Sequence, residues 1–372
     1  IKSSSFWDEE VLSILFHATE KTQKPFLKNL IKGRNKYISN KNSLENYLKK
    51  IYIRCLETLN PKKEFVEILI RTLKLMDYDD IFLKELQWHS QNQIFYSGKT
   101  YYNEGKVDES VYKYVEEIVK IIKIENIDQF TELEIRANLD LIRGLLLNNV
   151  QYDNINPLLS RIESISVSLK KIINIVEEDE PEENTLNKNN LEVISLRNCN
   201  QEIKKMFPIL LAKEYFKEHK EQNKNEVKKT FHLIIDEAHN ILSQQSNREA
   251  ESWKDYRLEL FEEIIKEGRK FGFFLTVASQ RPADISETIM SQFHNFFIHR
   301  LINEKDLRLI DNVISTLDRS SKQLIPVLPQ GACIVTGTAF DFPKIIQVDK
   351  IENREERPNS DDIDLEEIWK KK

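Results

Sequence analysis

The sequence predicts an α/β protein: a largely parallel sheet joined to a large helical segment. Two observations carry this. From about residue 191, short apolar runs alternate with amphipathic stretches, the grammar of strands separated by covering helices. Before that point, from Phe6 to about Val176, apolar residues recur almost throughout at helical spacing.

The elements follow in order. Val11, Leu12, Ile14, Leu15 and Phe16 form an apolar face behind the acidic turn Asp8-Glu9-Glu10. Leu44, Tyr47, Leu48, Ile51 and Leu56 continue the pattern, as do Phe65, Ile68, Leu69, Leu73 and Met76 after Pro61. Val111, Tyr114, Val115, Ile118, Ile121 and Ile122 make another helix. Such stripes are core packing and carry no chemistry. Glu177–Asn190 is acidic, then polar, without apolar period, and reads as an exposed loop. Val193–Leu196 reads as a strand and Gln201–Lys217 as a helix that Pro208 kinks or begins. Then come strand Phe231–Ile235, a helix from about Tyr256 to Lys270, and strand Phe273–Ala278. A helix near Ala283–Phe293, strand Phe296–Arg300, helix Lys305–Thr316 and strand Ala332–Thr336 complete the series. The resulting domains are a mostly helical region (1–178), an acidic and polar loop (179–190), the sheet region (191–350) and an acidic tail (351–372).

Composition sets limits. Of 372 residues, 40% are hydrophobic and 31% charged, which suits a soluble chain; no apolar run is long enough to span a membrane. The sequence opens at Ile1 without a signal-peptide pattern, and reads as a piece of a longer polypeptide. Its net charge of −6 does not advertise nucleic-acid binding, although affinity follows the local field and not the sum. Cys55, Cys199 and Cys333 form no CxxC pair, which argues against structural zinc and for a reducing, cytoplasmic setting.

The chemistry concentrates in FHLIIDEAHN, Phe231–Asn240. A buried parallel strand ending in Asp236 and Glu237 places two carboxylates where an open α/β sheet has its ligand crevice. This is the Walker B pattern of nucleoside triphosphatases. The second strand, Phe273–Ala278, ends in the polar cluster Ser279-Gln280-Arg281-Pro282 at the same sheet edge. Between them Lys266–Gly272, KEGRKFG, closes a helix. The bland alternatives are acids favoured at a helix N-terminus and, for Arg269, a cation favoured at a helix C-terminus. Lys270 competes with Arg269, and Gln280 could simply bond at a strand end. Arg281 and Arg300 suit surface salt bridges as well as phosphate. His239 could cap or couple the next helix, while His232, His294 and His299 read as packing.

Taken together, LIIDEAHN, EGRKFGFFLTVASQRP, NFFIHRLINEKD and LPQGACIVTG resemble the HerA/FtsK superfamily of hexameric DNA-translocating ATPases, HerA-like members most of all. The resemblance is specific from about Leu191 to Val348 and looser over SSFWDEEVLSILF and NPLLSRIESI. It implies a RecA-like P-loop NTPase core with a large helical insertion, of which this chain is the C-terminal part without the P-loop. Carried over by residue, it makes Asp236 the acid that holds Mg²⁺ through water and Glu237 the general base. Gln280 becomes the sensor of the γ-phosphate, and Arg269 an arginine finger reaching a neighbouring subunit's ATP. It further implies a homo-hexamer, double-stranded DNA in its pore, and a NurA-like nuclease or a nuclease or sirtuin-like effector of antiphage defence as partner. The polar insert Ser243–Ser252 is a candidate loop for DNA or partner contact.

Ser97-Gly98-Lys99-Thr100 imitates the end of a P-loop, but Gln93 stands where the pattern needs glycine, and no good helix follows. The chain alone is therefore expected to be inactive. Two other readings compete. The letters DEAH also mark superfamily 2 helicases, yet their later arginine-rich motif is missing here. A catalytically inactive ATPase-like scaffold is the other.

Overall fold

The computed structural model describes residues 2–37, 43–59, 61–102, 109–122, 127–176, 191–244, 251–349, 351 and 369. The loop predicted at Glu177–Asn190, most of the insert Ser243–Ser252 and nearly all of the acidic tail lie outside them. The chain divides into two compact units: residues 1–222 with 246–257, and residues 223–245 with 258–372.

The first unit is built around the helix Gln129–Leu146. Asp128 caps it, accepting from the N–H groups of Phe130 and Thr131. Its buried residues run from Phe130 to Leu145 on every side, as a central helix requires. The helices Gln23–Tyr37, Ser43–Glu57, Glu64–Lys74 and Tyr152–Leu169 pack against it. At the N-terminus Asp8 of the acidic turn caps the helix Glu9–Leu15, accepting from Glu10 and Val11 N–H. The helix Gln201–Gln222 begins well before Pro208 and runs through it, so the proline does not mark its start.

One feature departs from the helical expectation. Gln87–His89 (β1), Ile94–Ser97 (β2) and Thr100–Tyr102 (β3) form an antiparallel meander. Ser97 pairs with Thr100 across a two-residue turn, with Gly98 at φ 58°. A positive φ at the first turn position alone is the type II′ arrangement that joins tight hairpins. The P-loop look-alike is thus a hairpin tip.

The second unit holds the remaining strands: Phe231–Ile235 (β4), Phe273–Val277 (β5), Asn295–Ile298 (β6), Ala332–Gly337 (β7) and Lys344–Gln347 (β8). β4 and β5 are parallel, in register from Phe231↔Phe273 to Ile235↔Val277. The long helix Glu251–Phe271 lies between them in sequence. Gly272 closes the turn into β5 at φ 74°; a Cβ there would strain the backbone and meet Val227 Cγ1 at 2.6 Å.

The expectation of a largely parallel sheet holds for β4–β5 and fails beyond it. β6–β7–β8 is antiparallel, and no ladder joins it to β4–β5 among the described residues. β7 and β8 are joined by a short connection, which permits only antiparallel pairing. The connection from β6 to β7 contains helices, but returns the chain in the opposite sense. Its core is Ile298, Ile310, Ile314, Leu317, Ile325, Leu328, Ala332 and Ile334. The predicted helix near Ala283–Phe293 is instead a 3₁₀ turn, Pro282–Asp284, and one helical turn, Glu287–Met290. Val193–Leu196 is not a strand: it has no regular structure, and Val193 is 83% exposed. Four residues without a pairing neighbour gain no ladder bonds.

Candidate active site

β4 stops where its apolar run stops, and Asp236 and Glu237 follow at its tip. Backbone bonds tie this tip to that of β5. Ala278 N–H donates to Ile235 O, and Ala238 N–H donates to Ala278 O, both at 2.9 Å. Ser279, Gln280 and Arg281 therefore emerge beside the two acids, at the C-terminal edge of a parallel pair. Asp236 and Gln280 are exposed.

The backbone between the acids is unusual. Glu237 has φ 50°, the left-handed region that a non-glycine residue occupies only at a cost of about 1 kcal/mol or more. Glu237 N–H donates to Asp236 Oδ1 at 2.9 Å, which leaves Asp236 Oδ2 to the solvent. The Glu237 carboxylate turns to His239, whose Nδ1 lies 3.2 Å from Glu237 Oε2. The same nitrogen lies 3.2 Å from Ser279 Oγ, and Ser279 Oγ accepts from Arg281 N–H at 3.0 Å. His239 thus spans the tips of β4 and β5, a link that differs from the capping or coupling of the next helix read from the sequence. The part played by Ser279 was not legible, because it depends on the register of the two strands.

Arg269 is placed elsewhere. It is exposed in the last turn of Glu251–Phe271, and its carbonyl accepts from Gly272 N–H. Gly272 O in turn accepts from Phe231 N–H, where β4 begins. Five strand residues at ~3.3 Å each separate that edge from the acids, roughly 16 Å along the strand. The structure brings Asp236, Glu237 and Gln280 together and leaves Arg269 at the opposite edge of the same ribbon. Lys270, its competitor, pairs with Glu267 at 3.4 Å. Of the other histidines, His232 stacks on Phe274 across the strands, 5.1 Å between centroids, and His299 Nδ1 lies 3.2 Å from Ala332 O.

An exposed carboxylate with one oxygen free suits a hydrated divalent cation, which binds through its own waters and takes few protein ligands. Among the described residues no cluster of three or more His, Cys, Asp or Glu could form a dedicated metal cage.

No protein-family model matches the chain. A stretch of 155 residues is 32% identical to the DNA double-strand break repair helicase HerA of Sulfurisphaera tokodaii, covering 42% of this chain and 29% of that protein. A stretch of 158 residues is 32% identical to the same-named helicase of Sulfolobus acidocaldarius, again 42% and 29%. Over this stretch the chain is similar to HerA helicases. It spans under a third of the length of these two relatives. Among solved structures, VirB4 of Thermoanaerobacter pseudethanolicus aligns over 90% of this chain and 88% of its own at 14% identity, with a TM-score of 0.42. The genome packaging NTPase B204 from Sulfolobus turreted icosahedral virus 2, solved with ATP-gammaS, aligns over 38% and 61% at 20% identity, with a TM-score of 0.29. Both scores are too low to carry the fold.

Proposed function

We propose that this HerA-like chain supplies the Walker B part of a RecA-like P-loop ATPase that moves along double-stranded DNA as a homo-hexameric ring. The observation that carries the reading is the tip of β4. Two acids project at the C-terminal edge of a parallel strand pair, the second on left-handed backbone and held by His239.

In this reading Glu237 is the general base that orients the attacking water and takes its proton. Its link to His239 fixes the carboxylate, and the bond from His239 to Ser279 carries that position to the strand bearing Gln280. Gln280 senses the γ-phosphate. Asp236 holds Mg²⁺ through water, and the ion supplies charge neutralisation on the phosphate oxygens when bound. Arg269, at the far edge of its own ribbon, serves the ATP of an adjacent subunit. The phosphate cradle comes from sequence other than these 372 residues, which alone hydrolyse no ATP. The helicase names of the relatives support the DNA substrate. A nuclease of NurA type, or a nuclease or sirtuin-like effector of antiphage defence, is the partner we assign, in the cytoplasm.

The test is Glu237→Gln in the longer protein that carries a phosphate cradle. The amide keeps the shape and loses the base, so ATP binding persists while turnover falls about 10²–10⁴-fold. Hydrolysis close to wild type removes Glu237 from this role.

A further inference from the structure

Away from the acids, the helical unit contains a cleft of about 900 Å³. Its floor is the Gln129–Leu146 helix, which presents Arg136, Asp140 and Arg143 on one face; its walls come from Gln23–Tyr37 and Ser43–Glu57. Five cations line it: Arg34, Lys50, Arg54, Arg136 and Arg143. In a chain of net charge −6, this is a local reversal of sign.

The carboxylates do not balance these cations. Arg34 and Arg136 are buried, 6% and 7% exposed, and both lean on Glu132, whose Oε1 lies 3.1 Å from Arg34 Nε and 2.6 Å from Arg136 Nε. Arg34 also donates to Gln129 Oε1 and lies over the Trp7 ring, and Arg136 faces Asp140 as well, yet with Arg143 this end of the cleft still sets three guanidiniums against the two carboxylates Glu132 and Asp140. Asp140 accepts from the Tyr47 hydroxyl and lies 3.6 Å from Arg143. Burial pushes the Asp140 carboxyl above the ordinary range, which reduces its power to neutralise. Lys50 and Arg54 are exposed one helical turn apart on the wall. Neither has an acidic partner among the described residues. Glu57 is the remaining acid of the lining.

We propose that this cleft is a binding site for a nucleotide-sized phosphorylated small molecule. Its anionic groups lie between the buried guanidiniums of Arg34 and Arg136 and the exposed cations Lys50 and Arg54. The volume lies within the range of small-molecule sites, and a duplex is too wide to reach Arg34 and Arg136 at the bottom. Leu30, Ile51 and Leu146 give the lining an apolar part beside its charges. The inference is independent of the ATPase reading, since none of these residues belongs to the unit that carries Asp236 and Glu237.

The experiment is calorimetry of the 372-residue chain with inorganic tripolyphosphate and with ADP. Both are expected to bind and to compete with each other. The double variant Lys50→Ala/Arg54→Ala, whose side chains are exposed, should weaken both by about tenfold or more, because it removes two charge-assisted contacts. Gly33→Phe gives a second check: outside its own helix turn no atom of the described residues lies within 4 Å of the Cβ position at Gly33, so the ring can enter the cleft and block it. Glu237→Gln should leave the binding unchanged. The proposal is overturned by no heat at millimolar ligand, by binding that both cleft variants leave intact, or by binding of a 20-base-pair duplex that neither ligand displaces.

Discussion

The two units close themselves differently. The helical unit surrounds one helix with four others and ties charged groups of that helix to its own side chains and to its neighbours: Arg34 and Arg136 to Glu132, Asp140 to Tyr47. The sheet unit is open. On β4–β5 one face carries His232, Ile234, Phe274 and Thr276, all exposed, with Ile234 at 65%. On β6 Phe297 is 63% exposed, and after β7 Phe342 is 61% exposed. A central helix buried on every side is held by its own unit, even beside the cleft. A sheet with a bare apolar face is shaped for something that covers it, and the unit with the bare face is the one that carries the candidate catalytic acids.

This contrast can be broken by measurement, beginning with the largest effect. If the sheet unit works only when another subunit faces it, Arg269→Ala in the longer protein should cut hydrolysis about 10³–10⁵-fold, the range of an arginine finger, with little change in nucleotide affinity. Mixing that variant with Glu237→Gln protein should restore activity, because a mixed interface pairs an intact finger with an intact base. Mixed rings that stay dead would show that Arg269 acts within its own subunit or not at all. On stability, Leu139→Ala in the central helix should cost about 2–5 kcal/mol in urea unfolding, since Leu139 is 0% exposed. Ile234→Ala should cost under ~0.5 kcal/mol in the same chain. Similar losses at both positions would mean that the β4–β5 face is covered after all.

The smallest effect concerns pH. Burial pushes the Glu134 carboxyl up to about 7, against the opposing charge of Lys170. A raised folded value means the native state binds a proton more tightly than the unfolded chain. The contribution is full below about 4.5 and is lost as pH rises through about 7. At pH 8 the chain carries the cost of a buried carboxylate, so Glu134→Gln should be stabilised there by roughly 1–3 kcal/mol relative to wild type. That gain should vanish near pH 4.5, which denaturation at the two pH values checks. A variant no more stable at pH 8 than at pH 4.5 would contradict the raised value.

Much of this was legible in the residues. β4 and β5 begin and end close to where their apolar runs do, but the expectation that both are buried fails: only Ile235 and Phe273 are buried, and alternate residues are exposed. The packing stripes around Leu48 and Leu69 could be read from their helical spacing. The direction of β7 could not, since apolar runs do not record which way the chain comes back. The meander was missed although Ile94-Phe95-Tyr96 beside Ser97-Gly98-Lys99-Thr100 carries the signal: a β-rich run against a glycine turn. The left-handed backbone at Glu237 leaves no trace in the letters DEAH. Nor does the cleft, whose cations come from three helices brought together only by packing.

The bare face of β4–β5 also bears on how such a chain fares in a cell. A ribbon whose ladder is two strands wide among the described residues, with Ile234 and Phe274 exposed on one face, offers itself to any similar ribbon nearby. Newly made copies emerging side by side on one messenger are in competition between self-association and whatever normally seals that surface. Under these conditions yield depends on how quickly the seal arrives, a matter of synthesis order and chaperone supply as much as of folding free energy.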